Sequence, residues 1–188
     1  MTLTLFRCFR WRREARSHEP GGALWVPREL QGDGRHDAPA VFGCLYASEV
    51  AVSTLVEQLA RFRGTALEQS DFAIDDDRIA LAVLELDSGA DLVDLDDPGV
   101  LVGEQLRPSA VATGARARTQ EVAVRLFEAH GRASGIRWWS TFEASWINVT
   151  LWDRALPRLQ IARIEPLGTD HATVREAARF LELPIEPS

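Results

Sequence analysis

The chain has 188 residues, of which 46% are hydrophobic and 26% charged, and its formal net charge is −7. These values are typical of one soluble globular domain, so we expect residues 1–188 to fold as a single unit. All 21 basic residues are arginines, which excludes lysine-dependent chemistry such as Schiff-base catalysis, and the acidic balance argues against general nucleic-acid binding.

The first half of the chain predicts two strands and one helix, separated by a long loop. Alternating apolar residues predict a strand over residues 2–10. Repeated Gly and Pro predict a loop over residues 17–39, and loops of this length are often functional. Residues 41–46 predict a buried strand, and apolar residues at helical spacing predict an amphipathic helix over residues 49–62.

The second half predicts further strands interleaved with two helices. Residues 79–86 predict a strand that leads into an acidic connection, and Thr119 is the expected N-cap of a helix that ends at Gly131. The remaining predicted elements are strands over 136–140, 146–152 and 159–164 and a helix over 169–183. This order favours an α+β fold with a mixed sheet core and flanking helices over a regular parallel α/β fold.

The ionisable residues are spread along the chain in a way that bears on metals, partners and compartment. Cys8 and Cys44 lie inside apolar runs and far apart, and the four histidines are not clustered, so no zinc site is expected. Buried, reduced thiols and the lack of a long apolar run predict a cytoplasmic protein without a membrane span. Residues 1–35 are net positive and residues 68–104 strongly negative, which indicates two ends of one cleft, a partner surface, or a solvated acidic region near residues 75–77.

Three residues of the segment from 32 to 57 are candidates for one site. Arg35 comes from a glycine-rich loop, Tyr46 is the only tyrosine and ends a predicted strand, and Glu57 lies on the next helix. The strand-turn-helix interpretation lets all three project towards one cleft. Glu57 follows Val56 and flanks the apolar stripe of the helix, so a partly buried carboxylate is expected. Taken singly, each residue is also compatible with a structural role as a loop arginine, a core aromatic or a solvated acid.

Ordered segments between residues 32 and 152 resemble the RES domain, the toxin of RES–Xre toxin–antitoxin pairs. The similarity begins with the arginine, tyrosine and glutamate segments and continues to a serine and a strand downstream. The segments are Gly34-Arg35, Leu45-Tyr46-Ala47-Ser48, Leu55-Val56-Glu57, Asp94-Leu95-Asp96, Arg118-Thr119-Gln120, Gly135-Ile136-Arg137-Trp138-Trp139-Ser140 and Asn148-Val149-Thr150-Leu151-Trp152.

The resemblance implies an ADP-ribosyltransferase-like fold that holds NAD+ in a central cleft and cleaves its nicotinamide–ribose bond by hydrolysis or phosphorolysis. Arg35, Tyr46, Glu57 and Ser140 align with the family's site residues, and Arg7 resembles a further N-terminal arginine. Glu57 would stabilise the oxocarbenium-like ribose, and Arg35 and Arg7 would bind the pyrophosphate. Tyr46 would stack on nicotinamide or shape the reactive conformer, and Ser140 would donate a hydrogen bond to the ligand or to Glu57. No metal is expected to take part.

Two other functions stay open, and the second of them depends on a departure of the chain from the family pattern. Family members usually read Gly-Arg-Trp-Asn where this chain has Gly34-Arg35-His36-Asp37. The alternatives are ADP-ribosyl transfer to a protein and a catalytically inactive RES-like module that binds an antitoxin. The resemblance also implies an Xre-type antitoxin as partner. A homodimer is possible, and no direct contact with nucleic acid or a membrane is expected.

Overall fold

One sheet of eight strands runs through the part of the chain described by the computed structural model, residues 2–186. Five α-helices accompany these strands within that range. The strands are β1 (Thr2–Trp11), β2 (Cys44–Ser48), β3 (Ala73–Ile74), β4 (Asp77–Asp87), β5 (Leu92–Asp94), β6 (Gly135–Trp139), β7 (Ile147–Trp152) and β8 (Leu159–Pro166). The helices are α1 (Ala51–Leu59), α2 (Pro98–Gly103), α3 (Pro108–Val111), α4 (Arg116–Ala129) and α5 (Ala172–Phe180).

The strand order is β3-β4-β1-β2-β7-β6-β5, and β8 also pairs with β4. Neighbouring strands are antiparallel except β5 and β6, which are parallel. The predicted α+β class, with a mixed sheet core and flanking helices, is therefore confirmed. Apolar side chains on one face of the sheet form two core clusters, one between α1, α5 and β1 and another between α4 and the β6–β7 end, while a third cluster that includes Leu5, Leu45 and Leu84 lies on the opposite face.

The sheet opens between β1 and β2. β1 pairs with β4 along its full length, whereas its pairing with β2 is confined to Phe6 and Ser48. On its other edge β2 is fully paired with β7. Because β1 and β2 separate beyond that single pair, the centre of the sheet offers an opening between two well-paired halves.

Helix α1 follows β2 directly and covers this region of the sheet. Val52, Leu55, Val56 and Leu59 are buried and recur at helical spacing, so they form one apolar stripe. The helix was predicted over residues 49–62, and the structure has α1 followed by a single 3-10 turn over Ala60–Phe62.

The acidic stretch contains more structure than its composition indicates. β5 and α2 lie within the predicted acidic connection, and α2 begins where the Asp97 side chain accepts a hydrogen bond from the Gly99 amide, with Pro98 in the first turn. Asp77 is only 3% exposed and accepts hydrogen bonds from Arg10 of β1 and from Arg12, which follows that strand directly. The interpretation of residues 75–77 as a solvated region is thus wrong for Asp77, since the basic N-terminal strand neutralises it.

No helix within residues 2–186 combines the length and the apolar character needed to cross a bilayer.

Candidate active site

A cleft of about 220 Å³ lies where β1 and β2 separate. Its walls come from β1, β2, α1, the loop before β2, the start of α4 and the β6–β7 pair. The lining residues are Cys8, Gly34, Arg35, Tyr46, Ala47, Thr54, Glu57, Gln58, Arg116, Trp138 and Asn148. Three of the five predicted site residues, Arg35, Tyr46 and Glu57, therefore meet in one cavity.

Glu57 projects from α1 into this cleft beside the apolar stripe of the helix. Its Oε1 accepts hydrogen bonds from Ser140 Oγ at 3.2 Å and from Asn148 Nδ2 at 3.4 Å. The side chain is exposed rather than partly buried as predicted, because the cleft is open to solvent on this side. One carboxylate oxygen is thus anchored by the protein while the group remains accessible to a ligand.

Ser140 lies immediately after β6 and is buried behind Glu57. Its side chain is 2% exposed, and its Oγ also accepts a hydrogen bond from the amide of Phe142. Of the two contacts expected for this serine, the structure contains the one to Glu57.

Arg35 is held in the wall of the cleft by backbone carbonyls and an aromatic ring. Its Nη1 donates to the carbonyls of Val111 and Thr113 at 3.2 and 2.6 Å, and the guanidinium lies 4.8 Å from the ring centroid of Trp138. Burial and the nearby charge of Arg116 lower the pKa of Arg35. Within the described residues the only hydrogen bonds of its guanidinium group to protein are those of Nη1, so the other guanidinium nitrogens remain for a ligand.

The first turn of α4 fixes the loop that carries Arg35. Thr119 Oγ1 donates to the carbonyl of Arg35, and Gln120 Nε2 donates to the carbonyls of Gly32 and Gly34 at 2.8 and 2.9 Å. The prediction that Thr119 is the N-cap of this helix is wrong, because α4 begins at Arg116. The threonine–glutamine segment instead binds the loop to the helix.

Asp37 joins the same loop to β2 through Tyr46. Its Oδ2 accepts hydrogen bonds from the amides of Gly32 and Gly34, and its Oδ1 accepts one from the Tyr46 hydroxyl at 2.7 Å. The Tyr46 oxygen in turn accepts from the His36 amide at 2.9 Å. A Cβ at Gly34 would lie 2.5 Å from Asp37 Oδ1 and 2.6 Å from the Tyr46 hydroxyl, so only glycine fits there. The Tyr46 hydroxyl proton is committed to Asp37 in this network, and the ring of Tyr46 is left for contact with a ligand.

His36 is buried directly behind the cleft. It is 2% exposed, its Nδ1 lies 2.8 Å from Thr150 Oγ1, and its ring meets that of Trp138 edge-on at 5.2 Å. Burial, reinforced by the positive charges of Arg35 and Arg116, lowers the pKa of His36 to about 3. His36 and Asp37, which stand where RES domains usually have Trp-Asn, thus lie in the wall behind the cleft, and both are hydrogen-bonded.

Arg116 is a second cation of the cleft that sequence reasoning missed. It is the exposed first residue of α4, it lines the cleft, and its charge adds to the effect of burial in lowering the pKa of Arg35. The signal available in the sequence was its position two residues before the Arg118-Thr119-Gln120 segment. Two guanidinium groups therefore lie together in a cleft that also holds Glu57.

The structure does not bring Arg7 to the cleft. Leu5, Arg7 and Phe9 share one face of β1, because side chains two residues apart in a strand point the same way. Leu5 and Phe9 belong to the core on that face of the sheet, whereas Cys8 lines the cleft on the other. The Arg7 guanidinium donates to the carbonyls of Ala23 and Trp25. Burial lowers the pKa of Arg7 to about 10, so it is still cationic at neutral pH.

No cluster of three or more His, Cys, Asp or Glu side chains with metal-binding geometry occurs among the described residues. The cleft instead combines an anchored carboxylate, paired guanidinium groups and aromatic rings. Such a set suits a ligand that carries a diphosphate and an aromatic ring.

The fold is shared with a protein of known structure. The chain superposes on a chain of the M. tuberculosis MbcT–MbcA toxin–antitoxin complex with a TM-score of 0.64 and 20% sequence identity. The match covers 97% of this chain and 89% of the other. No protein-family model and no curated protein matches the sequence.

Proposed function

We propose that this protein is the toxin of a RES-type toxin–antitoxin pair and that it degrades NAD+ by cleaving the bond between nicotinamide and ribose. The observation that carries the proposal is Glu57, whose carboxylate is anchored by Ser140 and Asn148 in the cleft that also holds Arg35 and Arg116. The similarity in fold to a toxin–antitoxin complex supports the same conclusion.

The chemistry assigns a distinct role to each side of the cleft. The C1′–N1 bond breaks with its electron pair going to the pyridinium nitrogen, so nicotinamide leaves neutral and positive charge develops on the ribose. An ionised Glu57 beside the ribose stabilises that charge more in the transition state than in the bound substrate. Water or phosphate then forms the new bond at C1′ and releases its proton to solvent.

The guanidinium groups orient the substrate for this step. Arg35 and Arg116 bind the diphosphate, since a planar fork of donors matches phosphate oxygens. The ring of Tyr46 contacts the nicotinamide or the ribose, because its hydroxyl is already bonded to Asp37. Arg7, which the resemblance also suggested for the pyrophosphate, would need to leave two backbone carbonyls to reach it.

Product analysis tests the proposal and separates it from its alternatives. Purified protein incubated with labelled NAD+ is expected to release nicotinamide, with ADP-ribose as the second product in water or its phosphorylated form when phosphate is the acceptor. Label transferred to protein in a cell lysate would instead indicate ADP-ribosyl transfer. Stoichiometric NAD+ binding without any product would identify an inactive binding module.

The proposed partner is an Xre-type antitoxin, and the proposed compartment is the cytoplasm, where NAD+ is available. Expression of the protein alone is expected to stop bacterial growth, and co-expression of an antitoxin encoded by the neighbouring gene is expected to restore it. Growth that is unaffected by the toxin at confirmed expression would contradict this assignment.

A further inference from the structure

A buried pair of polar side chains lies behind Glu57. Ser53, on the buried face of α1, is 0% exposed, and its Oγ donates to Asn148 Oδ1 at 2.9 Å. Asn148 of β7 is 5% exposed, and its Nδ2 donates to Glu57 Oε1 at 3.4 Å, a long hydrogen bond. Neither Ser53 nor Asn148 was a candidate site residue in the sequence.

The Glu57 carboxylate and the Ser53 hydroxyl together hold the asparagine amide in one orientation. A side-chain amide has an oxygen that only accepts and a nitrogen that only donates. The carboxylate only accepts and therefore requires the amide nitrogen, while the Ser53 hydroxyl donates to the amide oxygen on the other side. The opposite orientation would place an amide oxygen against the Glu57 carboxylate, which is unfavourable because neither group can donate.

This arrangement leaves one carboxylate oxygen available. Ser140 and Asn148 both donate to Oε1, and within the described residues Oε2 makes no hydrogen bond. We propose that Ser53 and Asn148 are positioning residues that, with Ser140, fix the Glu57 carboxylate so that Oε2 faces the ribose of the substrate. This inference rests on the proposed function for the identity of the substrate.

The first test compares two buried serines. Ser53→Ala is expected to lower kcat about tenfold and to change KM less than about twofold, because the loss affects charge stabilisation in the transition state rather than substrate binding. Ser134→Ala is the matched control, since Ser134 is 3% exposed and precedes β6 at the end opposite Ser140. A kcat for Ser53→Ala equal to that of the control would overturn the inference.

A pH profile distinguishes positioning from a purely structural contribution. Asn148→Asp places a second carboxyl beside Glu57, and two adjacent carboxylates resist ionising together. The acid limb of the kcat profile is therefore expected to move to higher pH. The other ionisable groups around the cleft, Arg35, Arg116, Tyr46 and Cys8, are unchanged in this variant. An unshifted limb would contradict the assigned contact.

An NMR experiment tests the contact without relying on NAD+ cleavage. The side-chain amide resonances of Asn148 are expected to change with pH in the wild type and to lose that dependence in Glu57→Gln. In Ser53→Ala, if it folds, these resonances are expected to shift and broaden as the amide loses its fixed orientation. If neither Glu57→Gln nor Ser53→Ala changes the chemical shifts of the Asn148 side-chain amide or their pH dependence, the inference is overturned even in an active enzyme. The expected pattern in a protein without NAD+ turnover would support the positioning and refute only the proposed reaction.

Discussion

The Tyr46 hydroxyl donates a 2.7 Å hydrogen bond to Oδ1 of Asp37, and this bond connects the sheet to the loop that carries Arg35. The other oxygen of the same carboxylate receives the amides of Gly32 and Gly34. One buried acid thus accepts three hydrogen bonds and sets the position of both Tyr46 and Arg35 in the cleft.

Asp37→Asn is expected to lower the free energy of unfolding by about 1–3 kcal/mol, although it introduces the residue that the RES family usually has there. An asparagine has one accepting oxygen, so its nitrogen would have to face either the Tyr46 hydroxyl or the two glycine amides. Urea denaturation measures the change. Asp33→Asn, an exposed acid of the same loop, is the control and is expected to stay within about 0.5 kcal/mol of the wild type. Equal stability of Asp37→Asn and the wild type would contradict the network.

Buried His36 makes stability depend on pH. Its pKa is lowered to about 3 in the folded protein, so between about pH 6.5 and 3 the unfolded chain binds a proton that the folded chain does not. Protonation of His36 therefore does not affect the free energy of unfolding above about pH 6.5. Between about pH 6.5 and 3 it lowers that free energy by about 1.4 kcal/mol for each pH unit.

Denaturation series at several pH values check this dependence. His36→Gln, which retains a partner for Thr150, is expected to flatten the loss of stability on acidification. His18→Gln, at an exposed position, is expected to leave the slope unchanged. The same acid slope in His36→Gln and the wild type would show that His36 is not the group responsible.

Local sequence patterns were sufficient to predict much of the fold. The alternation that predicted β1, the apolar stripe of α1 and the β6–β7 pair reflect burial, which a single sequence encodes directly. β2 begins at Cys44 rather than at residue 41, because Val41 and Phe42 bond back to Ala38 in a turn. The short parallel pair of β5 with β6 depends on a partner more than 40 residues away, so no local pattern indicated it.

The candidate site was predicted only in part, because local sequence patterns reveal only the contacts between residues that are close along the chain. Arg35, Tyr46 and Glu57 lie close together along the chain, and the strand-helix turn between them brings them to one cleft. Arg116 and Asn148 reach that cleft only through the packing of α4 and β7, which sequence spacing does not reveal. Arg7 lies on the opposite face because side chains alternate along β1, so its neighbour Cys8 lines the cleft instead.

Arg116→Gln is expected to raise the KM for NAD+ about tenfold with little change in stability, because an exposed guanidinium near the diphosphate contributes to binding rather than to packing. The salt dependence of binding should also weaken, since one phosphate contact is lost. Arg118→Gln, also exposed and in the same helix turn, is the control. Equal KM values for the two variants would contradict a substrate contact by Arg116.

Arg7→Gln is expected to reduce the free energy of unfolding by about 1–3 kcal/mol, because two backbone carbonyls lose a charged donor. Thermal or urea denaturation measures this loss. An unchanged stability combined with a weaker affinity for NAD+ would instead support the pyrophosphate contact that the sequence resemblance suggested.

Glu57→Gln tests the central claim most directly, because it retains the shape of the side chain and removes its charge. Release of nicotinamide from NAD+ by this variant should be compared with release by the wild type and by Glu121→Gln, an exposed acid on α4. We expect Glu57→Gln to bind NAD+ with nearly unchanged affinity in calorimetry and to lose at least about 100-fold in kcat, while Glu121→Gln stays fully active. Nicotinamide release by Glu57→Gln at the wild-type rate would contradict the assignment of Glu57 as the group that stabilises the ribosyl cation.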